Sequence, residues 1–593
     1  MTLILICVLQ HLFANTRLKQ NSSVSDGELC SKTRAWNQSH CAPNDGWTAA
    51  PRCTRLNVSG MFFIVKAGCL PIVGGVKRIF AAIIAVVNYG IFILALLSTG
   101  DPIAARAEGL DWPTNRLLPA FAAPAAVLDC ADLSEVNGAE VDLFASLEGI
   151  VNRAQPRLAG VSGGAEGKFT WLKLHQLDYR MIGVYDAVLK YRTNVTGLVV
   201  TDPEQPDTLN LATTIAGVKN ELICSPRLLS VLTNAPYNLA VADDLRGRFA
   251  DKYEVYGYLY SNYWSSCTHR LFAGMGTHLH GRLRDYLVAT KCATVWLGPG
   301  IKRDAELLRM FVSDMTPVHG VYIGWWPGEG DGLEWIAHYG IPVMASDHFC
   351  NATVFSGVKH DIHVPPIPQP PPLENKVYVA LILSDGDNVQ YMQHAMKMDW
   401  DKPVRGSFPI GWTASPLSVE FDPMMLDYYW SSATTNDCLI SGPSGAGYAH
   451  INSWDSANLD KFTKVTAPYL ERSGMRIITI WDRVNHTVAD SFAANCPSLL
   501  GLTDQSGTYS AVDDGLRTIR LTPTYTSTVR EMLSWINDAT AGWNGKAPLF
   551  IAAQSDVWNL GPTDLEKVVH GLDPAKYKLV RPDQLFMLAN QAH

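Results

Sequence analysis

Six short apolar runs, each closed by small or polar residues, constrain this chain more than any other feature. Upstream they read "TGLVVTD", "ATVWLGP" and "HGVYIGWW"; downstream they read "VYVALILSDGDN", "RIITIWDR" and "PLFIAAQSD". Uninterrupted apolar runs mark strands covered on both faces, and such strands form parallel sheets joined by helices. Stretches 456–467 and 525–539, between the downstream runs, carry apolar residues at helical spacing. The expected class is therefore α/β. Between the two sets stands "HVPPIPQPPPLENK", with six prolines in positions 365–372. Proline lacks the N–H that a helix or central strand needs, so this is a stiff extended connector. The reading places an N-terminal α/β (Rossmann-like) unit at 124–361, a proline-rich linker at 362–375, and a C-terminal (β/α) barrel-like unit at 376–593.

The first hundred residues follow a different pattern. Residues 14–60 are polar with no apolar periodicity, so 1–75 reads as a non-native or disordered extension. Lys77 and Arg78 then precede an apolar run from Ile79 to Leu97, and Ala105-Arg106-Ala107 forms a small-x-small site. That order is a secretory signal peptide at 76–107, with translation starting at Val76 or Met61. The alternative is a membrane anchor, because the run is long enough to span a bilayer. Asn88 within the run and the cleavage site after it favour the signal. The expected location is periplasmic, extracellular or cell-surface, with membrane contact only through an uncleaved anchor. The net charge of −8 and 18% charged residues provide no basic surface for nucleic acid. Five of twelve cysteines precede Glu108, and no C-x-x-C pair occurs, so neither structural zinc nor a dithiol redox centre is signalled.

"ISGPSGAGYAHIN", residues 440–452, carries Gly442 and Gly447 at the spacing that opens a phosphate-binding loop, but Tyr448 and Ala449 follow where lysine and a hydroxyl are needed. Nucleotide binding is not expected. The glycines supply positive φ in a tight loop or bring backbone close to a neutral polar ligand.

In parallel α/β folds ligands sit at the carboxyl ends of strands. The strand-end carboxylates Asp385, Asp387 and Asp482, with Glu329 from "GWWPGEGDG", are the candidate catalytic groups. Asn388, Gly445, Gly447, Tyr448, His450, Trp325, Trp326, Gln554 and Asp556 are candidate substrate contacts. Carboxylates at one rim beside aromatic faces suit glycosidic cleavage, in which one carboxyl protonates the leaving oxygen and another attacks or activates water. The same "DGDN" is also strong turn chemistry. A metal-dependent carbohydrate deacetylase would pair Asp385 and Asp387 with His450 or His394, but no H-x-x-x-H pair supports it, and His360 and His363 are one residue too close. No metal and no cofactor are expected. A third reading is a glycan-binding protein that does not cleave.

"SGPSGAGYAHIN" resembles the signature of the GxGYxYP family, labelled putative glycoside hydrolases: Gly445, Gly447 and Tyr448 match, while His450 and Ile451 stand where Tyr and Pro are usual. "LILSDGDNVQY", "IGWTASPL", "ASLEGIVNRAQPRL", "TDPEQPDTLNLATTIAG" and "DHFCNATVFSG" look like the same family, so the resemblance runs from about residue 126 to the end. It implies an exported bacterial two-domain protein acting on oligo- or polysaccharide. It transfers no catalytic pair.

Overall fold

The computed structural model describes residues 110–481, 483–505, 511–513 (backbone) and 515–592. The expected extension at 1–75, the signal at 76–107 and Asp482 lie outside the described residues. Among the described residues no helix is long and apolar enough to cross a membrane.

The part before the connector is built from three small parallel sheets. Strands β1 (Leu128–Asp132), β2 (Leu158–Val161) and β3 (Tyr179–Met181) pair in the order β2-β1-β3. Strands β4 (Gly197–Val200), β5 (Glu221–Cys224) and β6 (Val241–Asp244) pair as β5-β4-β6. Strands β7 (Leu271–Gly274), β8 (Ala293–Val295), β9 (Val321–Gly324) and β10 (Val343–Ala345) pair as β10-β9-β7-β8. Three of the six apolar runs supply β4, β8 and β9.

The part after the connector is a nearly closed parallel barrel. Its strands are β11 (Val377–Leu383), β12 (Ile410–Ala414), β13 (Asp437–Ser441), β14 (Ile477–Ile480), β15 (Gly501–Asp504), β16 (Ala511–Asp513), β17 (Leu516–Arg520), β18 (Leu549–Ser555) and β19 (Tyr577–Leu579). β11 is buried along its whole length, as a strand covered on both faces must be. The wall runs β18-β11-β12-β13-β14-β15-β17. Parallel bridges Leu521–Ala552 and Thr526–Ser555 bring the chain after β17 back to β18 and close the ring. β16 pairs antiparallel on β17, and β19 pairs with the start of β11.

Two helix boundaries differ from the sequence pattern. The helix expected at 456–467 runs Ser456–Ser473, with Pro468 inside it. It starts at Asp455, whose carboxylate accepts from the N–H groups of Ala457 and Asn458, and ends at Gly474 in the left-handed conformation. The helix expected from Tyr525 begins at Val529, because Thr528 caps it by accepting from Glu531 N–H at 3.2 Å. Tyr525 is thereby left in the loop above the barrel.

The two parts share one continuous apolar core. Two buried polar pairs cross the seam: Trp171 Nε1 donates to the Gln393 carbonyl at 2.6 Å, and His175 Nε2 lies 2.6 Å from Asp422 Oδ1. The proline-rich connector has no regular structure but is tied to the barrel rather than hanging free. Gln584 Nε2 donates to the carbonyls of Pro368 and Gln369, and Tyr378 Oη donates to that of Pro372.

Candidate active site

The carboxyl ends of the barrel strands surround a cavity of about 420 Å³. After β11 the chain turns through Ser384, Asp385, Gly386, Asp387 and Asn388, and all but the glycine line the cavity. Asp385 sits at φ +82°, a left-handed conformation that Asp and Asn tolerate better than most residues. Asn388 caps the helix Val389–Gln393, its Oδ1 accepting from Tyr391 N–H at 2.9 Å. "DGDN" is therefore a turn and also a wall of the cavity.

Asp385 Oδ2 accepts from the indole Nε1 of Trp558 at 3.0 Å and from the Asn388 amide at 3.4 Å. Burial outweighs these donors, Glu329 and Asp556 add like charge, and the carboxyl is pushed up to about 6. Asp387 is driven well above the usual carboxylate range, by burial first and then by Asp385 and Glu329. Glu329 opens the helix Glu329–Ala337 of the upstream part. Loss of water raises its carboxyl against a hydrogen bond that Tyr448 Oη donates at 3.3 Å. None of the described residues lining the cavity is Lys or Arg, so nothing there neutralises the carboxyls or favours a phosphate.

Tyr448 comes from the glycine-rich loop after β13, and this loop bridges to the upstream part. Tyr448 N–H donates to the Val343 carbonyl at 2.7 Å, and Val343 N–H returns a bond to the Tyr448 carbonyl at 2.9 Å. A Cβ on Gly447, at φ +113°, would stand 2.8 Å from Pro342 Cβ; one on Gly445, at φ +116°, would stand 2.8 Å from Thr466 Cγ2. Neither glycine lines the cavity. Expected as substrate contacts, they instead let backbone approach protein. The Tyr448 ring is buried between Trp325 (centroids 6.3 Å, 21°) and Trp481 (6.2 Å, 83°).

The remaining expected contacts separate. Trp325 and Gln554 line the cavity, Gln554 held by donating to the Thr524 carbonyl at 3.1 Å. Trp326, expected as a sugar platform, is core: it is 2% exposed and stacks on Tyr322 at 3.7 Å. His450 is not among the lining residues; its ring meets Tyr448 edge-on at 6.0 Å. Asp556 stands behind the wall rather than on it. Ser527 and Asn559 donate to its Oδ2 at 2.8 and 2.6 Å, and Tyr525 Oη donates to its Oδ1 at 3.2 Å. Burial opposes its charge, but these bonds hold the carboxyl below its usual range, so it positions Tyr525 and the Trp558 loop as a fixed anion. Tyr525, Gln390 and Gln505 line the cavity without having been singled out by the sequence. Tyr525 was hidden by its placement in a helix that starts four residues later.

Among the described residues lining the cavity no histidine accompanies the two aspartates in the way the deacetylase reading pairs them. His394 borders a separate cavity, where its Nδ1 lies 2.7 Å from Glu166 Oε1. Among the described residues His360, His363 and Asp427 bring one ligand atom each within 4.8 Å of the others, at the start of the connector.

The sequence matches three domain families: "GxGYxYP putative glycoside hydrolase C-terminal domain" over residues 375–590, "GxGYxYP_N second domain" over 195–267, and "GxGYxYP third domain" over 269–357. No curated protein matches it. The fold is similar to the crystal structure of a "putative hydrolase" from Bacteroides thetaiotaomicron VPI-5482, at TM-score 0.72 and 20% identity, covering 82% of this chain and 99% of that one.

Proposed function

From the premise that this chain belongs to the GxGYxYP putative glycoside hydrolase family, we propose that it hydrolyses a glycosidic bond in the 420 Å³ cavity, with Asp387 as general acid and Asp385 as nucleophile or base. One observation carries this reading: of two carboxyls on one turn, facing a third across the cavity, Asp385 is met by two side-chain donors, Trp558 Nε1 and Asn388 Nδ2, while burial and two like charges press on Asp387. Environments that separate a carboxyl pair in this way assign the acid and the base. Asp387 keeps its proton for the leaving oxygen, whereas Asp385 faces the donors Trp558 Nε1 and Asn388 Nδ2 that favour its ionised form. Trp325, Trp481, Tyr525 and Trp558 supply flat apolar faces for sugar rings, and the absence of lining cations fits a neutral substrate.

The proposal fixes the sign of the pH dependence. Activity requires Asp385 ionised, so kcat/KM should fall as pH drops through about 6. It also requires Asp387 protonated, so activity should fall again on the alkaline side. The two limbs belong to the coupled pair rather than to either residue alone. Reducing-sugar release from a polysaccharide panel, followed by a pH profile on any hit, tests this. Binding without product would replace hydrolysis with glycan recognition.

We also propose export through the segment at 76–107. Protein recovered outside the cytoplasm should begin at Glu108; an intact segment on the exported chain would instead establish an anchor.

A further inference from the structure

A second cavity, of about 620 Å³, adjoins the first across Trp558, which lines both. Three residues distant in sequence converge on it. Glu166 lies in the glycine-rich loop after β2, Cys350 follows β10, and His394 ends the helix after β11. His394 Nδ1 is 2.7 Å from Glu166 Oε1, and its Nε2 and the Cys350 thiol meet at one acceptor, the His348 carbonyl oxygen, at 3.3 and 3.7 Å. The cysteine backbone is clamped from both sides: its N–H donates to Gln393 Oε1 at 2.9 Å, and its carbonyl accepts from Gln393 Nε2 at 3.0 Å. Arg282 Nη1 approaches the sulfur at 3.8 Å. A thiol, a base beside it and a carboxylate fixing that base are the three parts of an activated nucleophile.

We propose that Cys350, His394 and Glu166 form a nucleophilic triad that cleaves an O-acyl ester bound in this cavity. The Cys350 thiolate attacks the acyl carbon, and the tetrahedral intermediate collapses as the alcohol leaves with a proton from the His394 imidazolium. Water then attacks the thioester, giving its proton to His394; the carboxylic acid departs and the thiolate–imidazolium pair is restored. Arg282 is placed to face the oxyanion. Glu166 is a positioning residue that holds the imidazole through Nδ1. The shared Trp558 wall makes an acylated sugar the natural alcohol half, and that part alone rests on the glycosidase reading.

The surroundings support the ion pair. Burial opposes a thiolate at Cys350, but the hydrogen bond and charge of His394, with Arg282, bring the thiol below its usual range. Burial likewise opposes charge on His394, and bonds to Cys350 and Glu166 push it up to about 10. The other groups facing the pair are His348, whose carbonyl lies 3.3 Å from His394 Nε2, and Glu148, whose carboxyl is raised well above its usual range by burial and then by Asp285 and Cys350. The six other described cysteines are buried, and burial pushes the Cys130, Cys224 and Cys496 thiols up to about 12.

The test treats the full-length protein with iodoacetamide at pH 6.5, or with p-nitrophenyl acetate, and maps the modified peptides by mass spectrometry. Cys350 should alkylate on the order of 10-fold faster than the other described cysteines and should carry an acetyl group after the ester. Cys350→Ser should abolish the acetyl adduct and the nitrophenol burst. Glu166→Gln should move the pH midpoint of alkylation upward, which a merely structural carboxylate would not do. Asp387→Asn should leave the burst intact, separating this activity from glycosidic cleavage. Alkylation of Cys350 no faster than its neighbours, absence of the acetyl adduct, or a burst that survives Cys350→Ser would each overturn the proposal.

Discussion

Asp387→Asn is expected to lower glycosidic hydrolysis by about 10²–10⁴-fold, the usual contribution of a positioned general acid, and Asp385→Asn by at least as much, with both variants folded. The fold should survive for physical reasons. Each substitution removes a carboxyl whose charge is resisted by burial and by its neighbours, so the cluster of like groups is relieved rather than broken. Asparagine also tolerates the left-handed backbone at position 385 and can still accept from Trp558 Nε1. The leaving group separates the two roles. An aryl glycoside departs without a proton, so Asp387→Asn should retain most activity on it and lose the alkaline limb of the pH profile. Asp385→Asn should be equally impaired on aryl and natural substrates. Kinetics on both substrate types, beside a thermal melt, checks this; near-normal turnover by both variants would remove the assignment.

The strands were legible because burial on both faces leaves an unbroken apolar run, as in β11, β14 and β18, and chain direction then puts Asp385, Asp387 and Gln554 at one rim. What escaped the sequence was non-local. Gly445 and Gly447 carry the same composition whether a glycine admits a ligand or a neighbouring segment of the chain; only the Pro342 and Thr466 contacts distinguish these. Trp325 and Trp326 are adjacent, yet one faces the cavity and the other stacks on Tyr322. The partition of the upstream strands into three sheets depends on pairing across long sequence separations. His394, considered only as a metal ligand, reaches Glu166 across 228 residues. The connector read only as a stiff extended spacer because proline stiffness is local, whereas its tie to Gln584 is not.

Gly386→Ala and Gly442→Ala should each destabilise the protein and impair activity by more than the stability loss alone explains. A Cβ on Gly386 would stand 2.0 Å from the Thr413 carbonyl carbon and 2.3 Å from Ala414 N, in the backbone of the next strand. A Cβ on Gly442 would stand 2.4 Å from the Gly386 carbonyl carbon and 2.5 Å from Asp387 N. The two glycines thus stack the aspartate turn between β12 and the loop after β13, with Gly386 N–H donating to Thr413 Oγ1 at 2.8 Å. Backbone atoms on every side cannot rotate away as a side chain can, so the turn itself must move. Overpacking of this kind costs about 1–3 kcal/mol, sometimes more. A shift of about 1 Å in a catalytic group costs on the order of 10²-fold in rate, and here both carboxyls ride on the displaced segment. Gly257 provides the contrast, since it lies inside the helix Lys252–Asn262 with nothing within 4 Å of an added Cβ. Gly257→Ala should stabilise by about 0.5–1 kcal/mol and leave turnover unchanged. Denaturant melts and kcat/KM on the three variants decide the matter: if Gly386→Ala behaves like Gly257→Ala, the turn is not held by close backbone packing, and the placement of Asp385 and Asp387 must have another cause.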